Sequence, residues 1–311
     1  MKIYTLAPNE DWICDRFVKE WNDNQKILKS ESPYDCDILW LLADWCWNQI
    51  DYKKIDKNKT KIVASVHHIV PEKFDQNSFR EWKIRDSLID FYHVPCQKTK
   101  DQIKNLTDKK IFCFPFWTNS KMWYPLEKEF CRKILGLPKE KYIIGSFQRD
   151  TEGSDLKSPK LEKGPDLLVE TIENISKEKD VHVLLGGWRR QYVIDRLENC
   201  GIEYTYKELP DFETLNAMYN SLDLYLVTAR YEGGPQAIVE CGLTKTPIVS
   251  TNVGLASEIL SKESIAEKIE DIINCRPNVE WAYDKSNKID ISNEGFKPFL
   301  EMFKEITKEG N

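Results

Sequence analysis

Hydrophobic residues in this chain form short runs that are separated by longer stretches with helical periodicity. In the first 120 residues, the runs predict strands at 3–6, 37–42, 61–66, 90–94 and 110–114. The amphipathic stretches between them predict helices at 12–21, 79–88 and 98–106. Strands that alternate with helices in this way indicate a parallel sheet covered by helices.

The pattern is interrupted between residues 115 and 125, where Pro115 and Pro125 flank an aromatic segment, and this segment is interpreted as a linker. A short helix at 126–135 is expected to end at Gly136. The alternation then restarts, with strands predicted at 142–147, 181–185, 202–206, 222–227 and 247–250. Helices are predicted at 164–176, 190–200, 214–222, 235–243 and 263–275, followed by irregular chain at 276–293 and a last helix at 294–308.

The predicted domains are therefore an N-terminal unit at 1–120, a C-terminal unit at 121–293, and a terminal helix at 294–311 that packs back on the first unit. A length of 311 residues suits two domains. The net charge of −6 comes without a basic stripe, which argues against nucleic-acid binding.

The nine cysteines include no Cys-x-x-Cys pair, and the four histidines have no metal-ligand spacing with them. Reduced thiols and no structural metal are expected. The N-terminus lacks the apolar core of a signal peptide, and the longest apolar run is too short to span a bilayer. A cytoplasmic location is expected, with peripheral membrane contact left open.

The most informative segment is 222–254, where an apolar strand leads into Gly233, Gly234 and Pro235 and then into a helix. Ligands of open α/β sheets bind at turns of this kind. The free N–H groups and dipole of the helix N-terminus suit a phosphate. Glu232 and Glu240 flank the turn and are placed to hold the two ends of an extended ligand such as a nucleotide sugar.

The spacing of these two carboxylates is not informative by itself. The pattern Glu-x7-Glu occurs four times, at 162/170, 170/178, 232/240 and 301/309. Only the 232/240 pair lies in a strand, Gly-Gly-Pro, helix context, and the others are interpreted as solvated helix faces.

In that context, YEGGPQAIVEC followed by TPIVSTNVG resembles the signature of the group 1 (family 4) retaining glycosyltransferases. The resemblance covers most of the C-terminal half, through KYIIGSFQRD, LEKGPDLLVETI and VHVLLGGW, and is thinner in the N-terminal half. It implies a GT-B fold, in which two Rossmann-like, doubly wound α/β domains have the active site in the cleft between them. It also implies a hexosyltransferase activity with retention, in surface polysaccharide synthesis. Because two cations, Arg149 and Lys163, and a helix dipole suffice to stabilise the charge of a diphosphate, no metal is expected.

The resemblance implies roles for individual residues. Glu232 would contact the donor sugar, Glu240 would hold the ribose, and Arg149 and Lys163 would neutralise the diphosphate. His67 would face the donor sugar from the N-terminal domain. The remaining donor-binding candidates are Gly233, Gly234, Pro235, Arg230 and His68, and the acceptor-side candidates are Asn9, Glu10 and Asp11. The expected partners are a nucleotide sugar and a glycan or lipid-linked acceptor, and no cofactor is expected.

The chain departs from the family pattern in three places. The loop after the first strand lacks the usual glycines, 13 residues separate Arg149 from Lys163, and Lys245 stands where glycine is usual. Two alternatives stay open, a nucleotide-sugar epimerase and a non-catalytic nucleotide-sugar-binding subunit. A dinucleotide oxidoreductase is disfavoured because no Gly-x-Gly-x-x-Gly turn is present.

Overall fold

The computed structural model describes residues 1–10 and 13–309. Two compact α/β units divide the chain. Unit 1 comprises Met1–Pro115 together with residues 296–309, and unit 2 comprises Phe116–Gly295. The first unit ends at Pro115, five residues before the boundary placed at residue 120, and Thr118 already forms a parallel bridge with Asp290 of unit 2.

Unit 1 contains a parallel sheet of five strands in the order β1-β2-β3-β4-β5. The strands are β1 Ile3–Leu6, β2 Ile38–Leu41, β3 Lys61–Ser65, β4 Phe91–Val94 and β5 Ile111–Cys113. The helices are α1 Ile13–Asn24, α2 Gln76–Asp86 and α3 Gln97–Ile103, with 3₁₀ turns at Asp44–Gln49, Tyr52–Lys54 and Pro71–Lys73. The predicted start of α1 at residue 12 lies outside the described residues.

The chain reverses its direction of winding at β1. Helix α1 leads to Lys29, which forms an isolated parallel bridge with Ile3. The amide of Ile3 donates to Leu28 (2.7 Å) and its carbonyl accepts from Ser30 (2.8 Å), whereas the neighbouring Lys2 carbonyl accepts from Ile38. Since successive residues of a strand bond to opposite sides, the segment at Lys29 and β2 flank β1 on opposite edges. The carboxyl ends of β1 and β2 therefore form a topological switch point.

Unit 2 contains six parallel strands in the order β11-β10-β9-β6-β7-β8, so the winding reverses between β6 and β9. The strands are β6 Tyr142–Ser146, β7 Val181–Gly186, β8 Tyr204–Lys207, β9 Leu224–Val227, β10 Ile248–Thr251 and β11 Ile265–Ala266. The helices are α4 Lys128–Leu135, α5 Pro165–Ser176, α6 Gln191–Asn199, α7 Phe212–Asn220, α8 Gln236–Thr244, α9 Ala256–Ile259 and α10 Val279–Lys288.

Two sequence predictions in unit 2 are wrong. The segment 263–275 is not one helix, because Ile265 and Ala266 pair with Ser250 and Thr251 at the sheet edge. Its remainder is 3₁₀ helix at Lys262–Ser264 and Ile269–Asn274. The segment 276–293 is not irregular, since α10 packs closely on α8: a Cβ on Gly242 would lie 2.1 Å from Ser286 Oγ. The contact face of α10 is made of small residues and carries little apolar periodicity.

The last helix, α11 Lys297–Glu309, is part of the unit 1 core. Its Phe299 and Phe303 are fully buried and surround Trp21 of α1 with ring centroids 6.3 and 5.7 Å away. Trp40 of β2 lies 5.2 Å from Phe299. Aromatic pairs at these separations add about 0.5–1.5 kcal/mol each beyond the buried area, so α11 is a structural element of unit 1.

Among the residues that the structure describes, no helix combines the length and the apolar character needed to cross a bilayer.

Lys245 ends α8 in the left-handed conformation, with φ 55°. This conformation costs an L-residue roughly 1–2 kcal/mol in free energy. Its ammonium pairs with the exposed Glu280 at 3.1 Å, a surface interaction that contributes about 1 kcal/mol at most. We expect Lys245→Gly to raise the free energy of unfolding in urea by up to about 1 kcal/mol. Glu280→Gln, which removes the ion pair and keeps the backbone, is the control. A loss of stability in Lys245→Gly equal to that of the control would contradict the expectation.

Candidate functional site

The switch point of unit 2 lies where the loops after β6 and β9 meet. Gly164, in the left-handed conformation with φ 63°, begins α5 directly against the backbone of Thr228. A Cβ at Gly164 would lie 1.9 Å from the Thr228 carbonyl oxygen, so only glycine fits. The Thr228 hydroxyl donates to the Gly164 carbonyl at 2.8 Å and holds the two loops together.

This loop contact brings two of the predicted site residues into an ion pair. Lys163 Nζ bonds to Glu232 Oε1, although the two residues are far apart in the sequence. Both side chains are largely buried, with 12% and 14% of their surface exposed. Gln148 Nε2 also donates to the Lys163 carbonyl at 2.7 Å, which ties the loop after β6 to the same point. The pair places one cation and one carboxylate side by side at the end of the sheet.

The Gly233–Gly234–Pro235 turn leads directly into α8, as the sequence predicts. Pro235 is the residue before the first helical turn, and α8 starts at Gln236. Gly254, with φ 51°, lies under the turn: a Cβ there would be 2.2 Å from the Gly233 carbonyl oxygen. The turn therefore rests on the backbone after β10. The N-terminus of α8 offers backbone N–H groups and a positive dipole beside Lys163 and Glu232, which suits a phosphate.

Glu240 lies on α8 and is almost completely buried, with 5% of its surface exposed. Its Oε2 accepts a hydrogen bond of 2.8 Å from the hydroxyl of Tyr219. Burial, together with the adjacent Glu240 carboxylate, raises the pKa of Tyr219 well above its usual range. The tyrosine is thus a neutral donor that fixes the carboxylate.

Sequence reasoning missed the buried ion pair that holds the loop carrying Arg149. Arg190 is fully buried and its Nε bonds to Asp150 Oδ2 at 2.9 Å. Its Nη1 donates to the carbonyls of Ser146 (2.6 Å) and Gly186 (3.1 Å), the last residues of β6 and β7. Burial raises the pKa of Asp150, and the charge of Arg190 opposes that shift. The tandem arginines after VHVLLGGW were the only sequence signal, and their type alone does not distinguish a buried arginine.

Arg149 itself lies at the carboxyl end of β6, next to this pair. Its Nε donates to the Thr151 carbonyl at 2.8 Å, and its guanidinium lies 5.7 Å from the exposed ring of Trp188. The segment after it folds back on itself: Thr151 and Pro159 form an antiparallel bridge, and Lys160 N donates to the Asp150 carbonyl at 2.8 Å. The role of Arg149 toward a diphosphate stays a prediction.

Arg230 points toward α5. It forms a two-pronged ion pair with Asp166, with N–O distances of 2.8 and 2.6 Å, and donates to the Leu161 carbonyl. The pairing lowers the pKa of Asp166 against the effect of its partial burial. In this arrangement the guanidinium links the loop after β9 to the segment that leads into α5. A direct role of Arg230 in donor binding stays a prediction.

The two histidine candidates lie in unit 1, at the carboxyl end of β3. His67 Nε2 is 2.8 Å from the Leu42 carbonyl and 3.6 Å from Cys14 Sγ, and its ring is 5.6 Å from that of Trp45. It therefore contacts the loop after β2. His68 follows it and lines a depression on the same side of the sheet. Their roles toward a donor stay predictions.

The acceptor-side candidates lie in the loop after β1, which the start of α1 holds in place. The amides of Asn9 and Glu10 each donate to the carboxylate of Asp15, both at 2.9 Å. Asn9 has a φ of 59° and makes the turn that glycine makes more readily. Asp11 lies outside the described residues. The Asp15 carboxylate therefore fixes the two loop amides.

Part of unit 2 matches a known protein family in sequence. Residues 156–274 match the family described as Glycosyl transferases group 1. A curated relative, the lipopolysaccharide core biosynthesis mannosyltransferase LpsB of Rhizobium meliloti (strain 1021), is 25% identical over 145 residues. That alignment covers 44% of this chain and 39% of LpsB, so the chain matches about two fifths of the curated relative's length.

Solved structures with the same fold cover almost the whole chain. Anabaena HepE in complex with UDP and glucose has a TM-score of 0.76 at 12% identity, with 97% of this chain and 100% of HepE covered. A glycosyltransferase from Rickettsia africae has a TM-score of 0.68 at 16% identity, with 99% and 97% covered. Sucrose-phosphate synthase from Thermosynechococcus elongatus has a TM-score of 0.69 at 14% identity, with 98% and 81% covered. These likenesses show the fold, the two Rossmann-like units of the GT-B class, as the sequence predicts.

Replacing Arg190 tests the buried pair beside Arg149. Arg190→Met leaves Asp150 as an uncompensated buried charge, and we expect the free energy of unfolding to fall by about 3–5 kcal/mol. The measurement is urea denaturation of the single variant and of the double variant Arg190→Met with Asp150→Asn, which should recover part of the loss. A loss of less than about 1 kcal/mol in the single variant would show that the pair is not the anchor of this loop.

Replacing Tyr219 tests the hydrogen bond to Glu240. In Tyr219→Phe the buried carboxylate loses a donor, and we expect a loss of about 1–3 kcal/mol in the free energy of unfolding. Tyr192→Phe, at another largely buried tyrosine of unit 2, is the matched control and should lose less. Equal losses in the two variants would argue against a specific role of the Tyr219 hydroxyl.

Proposed function

We propose, from the match of residues 156–274 to the family Glycosyl transferases group 1, that this chain is a glycosyltransferase that moves a sugar from a nucleotide sugar to an acceptor hydroxyl. The observation that carries the proposal is the ion pair of Lys163 and Glu232 beside the Gly-Gly-Pro turn and the N-terminus of α8. This arrangement joins an anion-binding helix end to a carboxylate that suits sugar hydroxyls.

The donor is proposed to lie along the carboxyl ends of β6 and β9. The diphosphate would be bound by the N–H groups of α8, by Lys163 and by Arg149, because fixed positive groups stabilise the charge that develops on a departing phosphate. The sugar hydroxyls would donate to Glu232, whose pairing with Lys163 suits it to accept hydrogen bonds. Glu240, fixed by Tyr219, would accept from the ribose. HepE, of the same fold, has been solved with UDP and glucose.

The proposed reaction breaks the bond between the anomeric carbon and the phosphate oxygen, and the electron pair leaves with the nucleoside diphosphate. The acceptor oxygen forms the new bond to the anomeric carbon, and its proton passes to the departing phosphate. Retention of the anomeric configuration is part of the proposal and rests on the family resemblance. Independence from a metal ion is a further part, supported by the two cations and the helix dipole at the turn.

The acceptor is proposed to be a glycan or a lipid-linked acceptor. The transfer is proposed to take place at the inner face of a membrane. The support is that LpsB acts in lipopolysaccharide core biosynthesis, although the matched region is only part of that protein. The identity of the transferred sugar is left to experiment.

A thermal-shift panel with UDP, GDP, dTDP, ADP and CMP tests the donor site. A ligand at 100 times its dissociation constant adds about 2.7 kcal/mol of stability to a protein that binds it only when folded. We expect one nucleoside diphosphate to raise the melting temperature of the wild type clearly and that of Glu240→Ala much less. Glu170→Ala is the matched control, because Glu170 belongs to a second Glu-x7-Glu pair and is exposed on α5. It should respond as the wild type does.

The same panel is run with EDTA and with Mg²⁺, and a stabilising nucleotide is followed by turnover of its nucleotide sugars. A product with the donor's anomeric configuration, formed in EDTA, supports retention without metal, and an inverted product would overturn retention. Release of an epimer without acceptor would favour the epimerase alternative. If no nucleotide stabilises the wild type, the transferase proposal fails.

A further inference from the structure

Strand β8, Tyr204–Lys207, forms one edge of the unit 2 sheet, and its outer side is unpaired among the residues that the structure describes. Val183 of β7 lies opposite Tyr204, and its N–H donates to the Glu203 carbonyl at 2.9 Å. Successive residues of a strand bond to opposite sides, so Glu203 and every second residue after it bond to β7. The N–H and C=O groups of Tyr204 and Tyr206 therefore point outward from the edge.

This edge lacks two of the features that usually prevent an open strand from pairing. The strand contains no proline, and its register with β7 is continuous, without a bulge. Every residue of β8 is partly exposed, whereas β7 is buried along its whole length. Its one lysine, Lys207, has a carboxylate counterpart, Glu203, next to the other end of the strand. Unpaired N–H and C=O groups on such an edge are a template for another strand.

The sequence along this edge is complementary to itself. From 203 to 207 the residues are Glu, Tyr, Thr, Tyr and Lys. Side chains alternate between faces, so Glu203, Thr205 and Lys207 share one face and the two tyrosines share the other. Two such strands can pair in antiparallel orientation with Thr205 of each copy at the centre. Glu203 of each copy then lies opposite Lys207 of the other, and each tyrosine lies opposite a tyrosine.

Charge favours this arrangement over the other pairings of two copies. Parallel strands in register would place Glu203 against Glu203 and Lys207 against Lys207, and like charges directly opposite each other destabilise a sheet. Shifting the antiparallel pair by two residues in either direction separates Glu203 from Lys207 and removes both opposite-charge pairs. Only the antiparallel pairing centred on Thr205 gives an opposite-charge pair at each end.

Glu203 is able to reach a second copy although it already has a partner. Its side chain is 64% exposed, and its carboxylate lies 3.0 Å from Nζ of Lys141. Lys141 is also 3.3 Å from the Asp180 carboxylate, so it keeps a counter-charge if Glu203 turns toward another cation. An exposed pair of this kind holds together only weakly. The Glu203 carboxylate can therefore exchange Lys141 for a lysine of a second copy.

We propose that two copies of this chain associate through β8, in an antiparallel pair centred on Thr205 that extends the sheet of unit 2 into the second copy. The backbone groups of Tyr204 and Tyr206 exchange hydrogen bonds across the pair, and the opposite-charge, Thr–Thr and aromatic pairs stabilise it. The same surface is used on both copies, as in twofold-symmetric dimers. One strand pair buries less than the roughly 1,200–2,000 Å² of a stable interface, so we expect a weak, reversible dimer. The dimer does not depend on the proposed glycosyltransferase function.

Sedimentation velocity across the micromolar range measures the association. We expect the wild type to dimerise reversibly, and Glu203→Lys and Lys207→Glu each to weaken the dimer at least tenfold, because each places like charges at both ends of the pair. An equimolar mixture of the two variants restores opposite charges at both ends and should dimerise as the wild type does. Lys288→Glu is the matched control, since it reverses the charge of an exposed lysine of α10, which packs on α8 between β9 and β10, away from β8.

A cysteine at the centre of the pair tests the register. Thr205 occupies a non-hydrogen-bonded position, where the Cα atoms of facing residues are about 4.5 Å apart, within the disulfide range of about 4.4–6.8 Å. In a Cys200→Ser background, which removes a nearby exposed thiol, Thr205→Cys should form a disulfide-linked dimer on mild oxidation. Lys207→Cys is the control and should not, because its two cysteines would be about 13 Å apart along the strands, at roughly 3.3 Å per residue.

A wild type that remains monomeric throughout the micromolar range overturns the proposal. So does a dimer that both charge variants leave unchanged, or one in which Lys207→Cys links as readily as Thr205→Cys, because the copies then meet elsewhere or in another register. If a charge variant fails to fold, which circular dichroism shows, the two cysteine variants decide by themselves. None of these outcomes bears on the donor site, which the nucleotide panel tests separately.

Discussion

The site in unit 2 depends on the close approach of two backbones, Gly164 against Thr228. No side chain fits between them, since a Cβ at Gly164 would lie 1.9 Å from the Thr228 oxygen. This contact joins the loops after β6 and β9, the two strands at which the winding of the sheet reverses. Lys163 directly precedes Gly164, and Glu232 comes shortly after Thr228 in the next loop. The backbone contact therefore brings the two side chains close enough to form their ion pair.

Buried polar pairs then make the surrounding loops rigid. Arg190 bonds to Asp150 and to the last residues of β6 and β7, and Tyr219 bonds to Glu240 on α8. Buried hydrogen-bonded groups are expensive to separate, so these loops have one favoured arrangement. Polar groups held in one arrangement stabilise developing charge without reorganisation.

The same topological rule operates in unit 1 with different residues. The winding reverses at β1, and the loops at the ends of β1, β2 and β3 are held by Asp15, by Asp44 with Arg85, and by His67. Each unit therefore presents its polar side chains at the carboxyl ends of its strands, as open α/β sheets do. In unit 1 these groups are mixed in charge and accompanied by Trp45, whereas unit 2 joins cations to a helix N-terminus. The carboxyl ends of the two sheets therefore differ in the chemistry that they favour.

The sequence by itself determined the α/β class, most of the strands and the Gly-Gly-Pro turn, because these depend on local periodicity and on residues with restricted backbone preferences. The predicted strands at 142–147 and 181–185, for example, each lie within one residue of β6 and β7. Tertiary structure alone decided that residues 265–266 are a strand and that α10 is a helix, since pairing with β10 and packing on Gly242 override weak local preferences. It also decided that Arg190 is buried, that Tyr219 fixes Glu240 and that Lys163 pairs with Glu232. Contacts of this kind join residues far apart in the chain, and no local pattern encodes them.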